Sequence, residues 1–222
     1  GCGAFGANRP PLPGIETYEG KSVFYLVERR EALRGKRIVI AGGGDSALDW
    51  TLSLAELAKK IYVVHRRAKF RGAPESVARM QALAKAGDVI ELMVPYQLRG
   101  LEGADGRLEA VVVANLKGET RRLEADMLLP FFGLSSNLGP IAEWGLNLER
   151  NLIVIEPSTC ETSAEGIYAI GDIAGYPGKL KLILCGFSEA AMAAHAIYAR
   201  IHPDQPLHWE YSTTKGVPGL AE

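Results

Sequence analysis

The 222-residue chain has few of the features that mark secreted proteins or metalloproteins. Its three cysteines, Cys2, Cys160 and Cys185, are too few and too scattered for a disulfide framework. It has no C-x-x-C pair and no spacing of histidine, cysteine and carboxylate residues that is typical of a metal site. We therefore expect no metal centre, and a protein that works in a reducing compartment, the cytoplasm.

Long apolar runs and an excess of one charge are also missing. No stretch approaches the roughly 18 apolar residues of a membrane helix, and the start lacks the pattern of a secretory signal. The 25 Lys and Arg residues nearly balance the 26 Asp and Glu residues, which does not favour nucleic acid as a partner. With 47% hydrophobic residues, the composition predicts one or two compact soluble domains with no membrane partner.

What the chain does contain is a glycine-rich stretch that indicates both a local structure and a ligand. The run over residues 37–41 is apolar and β-branched at its centre, Gly42, Gly44 and Ala47 follow at the G-x-G-x-x-G/A spacing, and residues 48–60 have a helical pattern. In such a unit Gly42 permits the turn, Gly44 admits a pyrophosphate to the backbone, and Ala47 lets the helix pack on the strand. Because the helix N-terminus adds free N–H groups, we expect a ligand with phosphates.

A second strand, residues 61–64, follows at the distance typical of a βαβ unit and leads into a basic segment. This segment contains His65, Arg66 and Arg67, and then Arg71. NAD-binding enzymes place an acidic residue here, about 20 positions after the glycines, to bind the ribose 2′-hydroxyl. Guanidinium groups instead match phosphate oxygens, so the pattern favours NADPH over NADH. A solvated basic turn is the alternative interpretation.

The surrounding pattern predicts a nucleotide-binding domain over residues 14–131 with an antiparallel meander inserted before its last strand. Its other predicted elements are a strand over 22–27, a helix over 74–86, a buried parallel strand over 89–94, the meander between 98 and 123, and a buried strand over 127–132.

Past Gly133 the pattern changes, which predicts a second unit. Its predicted elements are a loop over 134–139, a strand over 152–155, a short strand over 166–172 and an apolar helix over about 186–201. Gly171 permits a close approach of the backbone, and Asp172 offers a carboxylate to polyol hydroxyls. Plain strand–turn–helix architecture is the alternative for this motif.

With these motifs together, the chain resembles the thioredoxin-reductase-like flavoproteins, and within them the ferredoxin–NADP reductases. The resemblance covers essentially the whole chain and implies an α/β fold. It implies that Asp45 and Ser46, within the Gly42 to Ala47 motif, bind NADPH together with the basic segment. It also implies that Gly171 and Asp172 belong to an FAD site, with Phe5 near the flavin.

The resemblance further implies an FAD domain that is split around the NADPH domain. Residues 1–13 would end the first FAD piece and form a linker, 14–131 would bind NADPH, 132–205 would be the second FAD piece, and 206–222 a tail over the flavin. Tyr211 in this tail would stack on the isoalloxazine, and Ser212 and Thr213 would offer it hydroxyls. No FAD pyrophosphate fingerprint is present, so we expect an incomplete FAD site and a fragment that is inactive alone.

The implied activity is that of an FAD-dependent ferredoxin–NADP oxidoreductase, with ferredoxin or a similar iron–sulfur protein as partner and a homodimer when full length. The first alternative is a disulfide reductase that lacks its own C-x-x-C. The second alternative is a stand-alone NADPH-binding or sensing module. The missing C-x-x-C weighs against the first, and the incomplete flavin site is what the second would explain.

Overall fold

The computed structural model describes residues 5–87, 89–205 and 207, which divide into two compact units. One unit comprises residues 6–135, and the other comprises Phe5 and the described residues from Ser136 onward. Among the described residues, no helix combines the length and the apolar character that spanning a bilayer requires.

The elements up to Ser136 are three layers of regular structure and one small sheet. In chain order they are β1 (Phe5–Ala7), β2 (Arg37–Ala41), α1 (Asp45–Leu54), β3 (Lys60–Val64), α2 (Pro74–Ala86), β4 (Ile90–Met93), β5 (Gln97–Ala104), β6 (Arg107–Ala114), β7 (Thr120–Glu124), β8 (Met127–Pro130) and β9 (Leu134–Ser136).

The centre of the 6–135 unit is a parallel sheet in the order β4-β3-β2-β8. Its strands are buried on both faces, as their continuous apolar runs predict. Val39 and Ala41 face the antiparallel sheet β5-β6-β7, whereas Ile38 and Ile40 face the two helices. The predicted parallel strands and inserted meander are therefore confirmed.

Two predictions for this unit are wrong. No strand covers 22–27, because the N–H groups of Ser22 and Val23 both donate to the carbonyl of Tyr18 in a turn, and Val23 forms only isolated bridges. Helix α1 covers Asp45–Leu54 rather than 48–60: it starts directly at the glycine turn, and it ends at Leu54 because the N–H groups of Leu57 and Ala58 both donate to the Leu54 carbonyl in a turn before β3. Helix α2 has the predicted bounds, since Pro74 starts it and Gly87 follows its end.

The second unit contains a three-stranded sheet and one long helix. Its elements are β10 (Leu148–Glu149), β11 (Leu152–Val154), β12 (Ala174–Gly175) and α3 (Ile183–Ile201). Strand β11 is antiparallel to β10 and parallel to β12, and the buried core of the unit includes Ile153, Cys160 and Ala193.

Two predictions beyond Gly133 are wrong. Residues 134–136 form β9, which pairs with β1, where a loop was expected. The predicted strand over 166–172 is absent, because Tyr168 makes only an isolated bridge with Glu161 and Gly171–Ile173 is a single 3-10 turn. The apolar helix predicted over about 186–201 is confirmed as α3, which begins at Ile183 and ends at Ile201.

Candidate nucleotide-binding site

The candidate site is a cavity of about 360 Å³ in the 6–135 unit, at the carboxyl ends of the parallel strands. Strand β2 is followed by α1 and β3 on one side, whereas β8 pairs on its other side. The crevice at such a reversal of strand order is where open α/β sheets bind ligands. The lining residues include Pro10, Ala41, Gly42, Gly43, Val64, His65, Arg66, Arg71, Tyr96, Gln97, Phe131 and Phe132.

The glycine turn begins at Gly42, which sits against the next strand. Its φ is +153°, and a β-carbon there would lie 2.6 Å from the carbonyl oxygen of Phe131 and 3.1 Å from the β-carbon of Ala47. Ala47 itself is fully buried. The turn and helix α1 can therefore pack on the sheet only with residues this small at both positions.

Gly44 differs, because a β-carbon at this position would meet no atom within 4 Å. Gly44 is the N-cap residue of α1, and no side chain caps the first turn of that helix. Ser46, in the same turn, is exposed. The α-carbon of Gly44 thus borders open space at a helix start without a side-chain cap, where a phosphate group could approach the positive end of the helix dipole.

His65 supports the turn from behind. A β-carbon on Gly43 would lie 2.3 Å from His65 Cε1, so the ring lies against the α-carbon of Gly43. The ring also stacks on Phe70 at 5.0 Å, and Nε2 is 3.2 Å from the carbonyl oxygen of Lys69. Burial lowers the pKa of His65, and the positive charges of Arg71, Arg66 and Arg67 lower it further. The ring is therefore neutral near pH 7 and donates through Nε2.

The three predicted arginines are exposed on the segment after β3. Arg66 and Arg71 line the cavity, and Arg67 does not. Within residues 5–87, 89–205 and 207, none of the three side chains makes an ion pair or a hydrogen bond with another protein group. The guanidinium groups of Arg66 and Arg71 are thus available to an anion in the cavity.

Asp45 has a protein partner. Its Oδ1 accepts a hydrogen bond of 2.8 Å from the N–H of Ala73. The N–H of Arg71 donates to the carbonyl of Gly43 at 2.6 Å. These two hydrogen bonds attach the basic segment to the glycine turn. The spacing of residues in the sequence did not predict this attachment.

Sequence reasoning missed the aromatic side of the cavity, which is formed by Tyr96, Phe131 and Phe132. The N–H of Tyr96 donates to the carbonyl of His65 at 3.0 Å, and Phe131 and Phe132 directly follow β8. An aromatic pair at the carboxyl end of a predicted parallel strand was the available signal, since the carboxyl ends of all such strands meet at one edge.

In the second unit, Gly171 and Asp172 lie on an exposed turn that a buried carboxylate holds. Gly171 has φ +73°, and its N–H donates to Oε2 of Glu189 at 2.7 Å. Asp172 is exposed, and among the described residues its carboxylate has no ion pair or hydrogen bond with another protein group. The turn is therefore fixed while its carboxylate is free to bind hydroxyls.

Glu189 is 1% exposed and is a residue that sequence reasoning missed. It accepts hydrogen bonds from the Tyr176 hydroxyl at 2.7 Å and from the Lys179 ammonium group. Burial raises the pKa of Glu189, but the hydrogen bonds from Lys179, Tyr176 and Gly171 outweigh burial, and the net pKa is lowered. The hydrogen bond between Tyr176 and Glu189 raises the pKa of Tyr176 to about 12. A glutamate within an apolar helix was the only signal.

The remaining predicted flavin contacts stay predictions. Tyr211, Ser212 and Thr213 lie outside the described residues. Phe5 belongs to β1, and only its backbone is described.

Comparison with known proteins identifies relatives of the whole chain. The chain is 67% identical over 220 residues to a ferredoxin–NADP reductase of Granulibacter bethesdensis, covering 99% of this chain and 63% of the relative. It is 65% identical over 222 residues to a ferredoxin–NADP reductase of Acidiphilium cryptum, covering 100% of this chain and 65% of the relative. The chain thus spans just under two thirds of the length of these relatives.

The fold matches that of a solved structure, the thioredoxin reductase of Lactococcus lactis in its FR conformation. The TM-score is 0.73 at 25% identity, over 89% of this chain and 64% of that one. The expected α/β fold and the resemblance to thioredoxin-reductase-like proteins are therefore confirmed. A sequence model of the family described as pyridine nucleotide-disulphide oxidoreductase matches residues 2–196. The chain belongs to this pyridine nucleotide-disulphide oxidoreductase family.

Proposed function

We propose that this chain supplies the NADPH site and part of the flavin site of an FAD-dependent ferredoxin–NADP reductase. One observation supports the proposal above all others. A glycine turn that leads into a helix without a side-chain cap lies at the reversal of strand order, beside exposed arginines that have no partner among the described residues. The names of the relatives at 67% and 65% identity agree with this chemistry.

In this proposal each end of the crevice binds one phosphate-bearing part of NADPH. The pyrophosphate lies over Gly44, whose α-carbon borders open space at the start of α1, which has no side-chain cap. The 2′-phosphate lies beside Arg66 and Arg71, with Arg67 adding positive charge from outside the cavity. His65 is neutral and buried, so it supports the turn and adds no charge.

The chain fits the flavin only in part. Asp172 would bind hydroxyls of the ribityl chain from a turn that Glu189 holds. Among the described residues, the turn before α1 is the only glycine-rich turn that starts an α-helix, and the proposal assigns it to NADPH. The described residues thus offer no second phosphate site of this kind. Flavin, when bound, supplies the hydride and single-electron chemistry.

The proposed electron acceptor or donor is ferredoxin, and the proposed assembly is a homodimer in which residues 206–222 cover the flavin. The cysteines favour an iron–sulfur partner over a disulfide. The sequence has no C-x-x-C, and Cys160 is buried in the core of its unit. A reductase that passes electrons to a disulfide through its own dithiol needs two adjacent thiols, whereas electron transfer to an iron–sulfur centre needs only access to the flavin.

A chimera tests the activity. The 220 residues of the Granulibacter bethesdensis reductase that align with this chain would be replaced by this chain, which is 67% identical. We expect the purified chimera to retain flavin and to transfer electrons between NADPH and ferredoxin at a rate close to that of the unmodified relative. A chimera that binds flavin but reduces only a disulfide substrate, or neither substrate, would contradict the proposal.

Nucleotide titration tests the site itself in the 222-residue chain. Isothermal titration calorimetry with NADPH and NADH should show a preference for NADPH of roughly a hundredfold, because two charge-assisted hydrogen bonds are lost with the 2′-phosphate. Equal affinity for the two nucleotides would mean that the arginines do not bind the 2′-phosphate.

A further inference from the structure

We infer that Asp45 is a positioning residue that sets the preference for NADPH by holding the basic loop, residues 65–73, against the glycine turn. The inference rests on the NADPH site proposed above. It differs from the role that the family resemblance implied, in which Asp45 contacts the nucleotide directly.

The basic loop is attached to the start of α1 at two hydrogen bonds and one close contact. Oδ1 of Asp45 accepts from the N–H of Ala73 at 2.8 Å, and the N–H of Arg71 donates to the carbonyl of Gly43 at 2.6 Å. Between them, a β-carbon on Gly72 would lie 2.2 Å from Cδ1 of Leu48 and 3.0 Å from Oδ1 of Asp45. The loop backbone therefore passes directly over the first turn of the helix.

The chemistry of Asp45 argues against direct binding of a phosphate. A carboxylate accepts hydrogen bonds and donates none, and the oxygens of an ionised phosphate have the same limitation. Its negative charge at the start of α1 also opposes the positive potential that attracts the pyrophosphate. Because the charge of Asp45 weakens the field at the anion site, the role that we infer for it acts through the loop that it holds.

This attachment affects only the part of the site that would bind the 2′-phosphate. Arg66 and Arg71 lie on the basic loop, and their side chains have no protein partner among the described residues to fix them. Their placement therefore depends on the loop backbone. Loosening that backbone displaces the groups beside the 2′-phosphate, while Gly44 and the start of α1, which both nucleotides would use, stay in place.

The test compares two substitutions at Asp45 with a matched control one helical turn later. Asp45→Ala removes the acceptor, Asp45→Asn keeps an oxygen that can accept from Ala73, and Asp49→Ala removes the same charge from an exposed site on α1. Each variant of the 222-residue chain would be titrated with NADPH and with NADH. Hydrogen–deuterium exchange at the Ala73 amide would report on the loop.

We expect Asp45→Ala to lower the ratio of NADPH to NADH affinity by about tenfold or more, which corresponds to one charge-assisted hydrogen bond. NADH affinity should change by less than about threefold, and the Ala73 amide should exchange faster. Asp45→Asn and Asp49→Ala should keep the wild-type ratio. Charge removal alone would strengthen the binding of an anion, so a weaker affinity for NADPH points to the loop.

Gly72→Ala is a second variant that displaces the basic loop from α1 without changing charge, and we expect the same selective loss. The inference is overturned if Asp45→Ala or Gly72→Ala leaves the ratio unchanged, if both nucleotides weaken equally, or if Asp45→Asn behaves like Asp45→Ala. In those cases a wild-type preference for NADPH leaves the proposed function standing. A wild-type chain without that preference would overturn both.

Discussion

The ring of His65 lies against the α-carbon of Gly43, so that a β-carbon on Gly43 would be 2.3 Å from Cε1 of the histidine. This contact joins the turn after β2 to the end of the neighbouring strand β3. It makes Gly43 a packing position within the glycine turn, whereas Gly44 next to it borders open space. The two glycines should therefore respond differently to the same substitution.

Gly43→Ala should destabilise the protein. The added methyl group has to displace a buried ring that is also stacked on Phe70. Such overpacking lowers the free energy of unfolding by about 1–3 kcal/mol. Urea denaturation followed by circular dichroism measures the change, and an unfolding curve identical to that of the wild type would show that His65 can move away without cost.

Gly44→Ala is the matched change and should affect binding. Gly44 has an extended backbone, with φ −98° and ψ −178°, and a methyl group there meets no atom within 4 Å. The free energy of unfolding should therefore stay within about 0.5 kcal/mol of the wild type. Both NADPH and NADH should bind at least about tenfold more weakly, because the methyl group occupies the space assigned to the pyrophosphate. Unchanged affinities for both nucleotides would place the pyrophosphate elsewhere.

Replacement of the arginines should separate the two that line the cavity from the one that does not. Arg66→Ala and Arg71→Ala should each reduce NADPH affinity by about tenfold or more, the value of one charge-assisted hydrogen bond. Arg67→Ala should have a smaller effect, because Arg67 does not line the cavity. NADH affinity should hardly change in any of the three, and calorimetric titration measures all of these constants.

Arg79→Ala is the control for the arginine series, since Arg79 is an exposed residue of α2 that does not line the cavity. It removes one positive charge from the same unit and should leave both affinities unchanged. If Arg79→Ala weakened NADPH as much as Arg66→Ala, general electrostatic attraction would explain the preference without a specific contact.

The sequence predicted correctly those helices and strands whose start, end or apolar pattern is contained in the segment itself. Helix α2 has the predicted bounds because Pro74 and Gly87 are start and stop signals in the chain itself. The parallel strands were predicted because each is a continuous apolar run. The apolar run at 166–172 was mistaken for a strand, since strand formation also needs a partner, and Tyr168 pairs only with Glu161.

In the candidate site, too, the sequence predicted local features and did not predict long-range contacts. The glycine spacing and the arginines were found in the sequence because they form a pattern with a fixed spacing. The contacts that fix them join residues far apart in the chain, such as Asp45 with Ala73 and Gly171 with Glu189. The spacing of residues along the chain does not predict such tertiary contacts. The buried carboxylate of Glu189 and the attachment of the basic loop therefore became visible only in the structure.

The lowered pKa of His65 predicts a loss of stability in mild acid. Above its ordinary value of 6.5, His65 is neutral in both the folded and the unfolded state. As the pH falls below 6.5, the unfolded chain takes up a proton that the folded chain excludes. This one group should therefore lower the free energy of unfolding by up to about 1.4 kcal/mol per pH unit, until the folded pKa is reached.

Urea denaturation of the wild type and of His65→Gln between pH 5 and pH 8 isolates this contribution. His65→Gln should be less stable than the wild type at pH 7, because the stacked ring is lost. Its stability should nevertheless fall less steeply below pH 6.5. Parallel curves for the two proteins would show that His65 takes up its proton equally in both states.

The buried carboxylate of Glu189 should be among the most sensitive positions of the second unit. Glu189→Ala leaves the Lys179 ammonium group, whose side chain is 6% exposed, without its partner. Removing one partner of a buried ion pair costs about 3–5 kcal/mol, which is much of the stability of a typical domain. Glu189→Gln keeps the shape and one acceptor oxygen, which can still accept from Lys179 and Tyr176, but its NH2 group then faces the N–H of Gly171. It should therefore lose stability, although less than Glu189→Ala does.

Glu165→Ala provides the exposed control for Glu189, because Glu165 pairs with Arg200 while its own side chain is 82% exposed. Water solvates both partners of that pair after the change, so stability should hardly alter. Urea denaturation at pH 7 should therefore rank the losses as Glu189→Ala, then Glu189→Gln, then Glu165→Ala. The lowered pKa of Glu189 adds a further test. The contribution of Glu189 to the free energy of unfolding should diminish as the pH falls below 4.5, the ordinary pKa of a glutamate. A loss for Glu189→Ala no larger than that for Glu165→Ala would mean that the three hydrogen bonds do not hold the Gly171 turn.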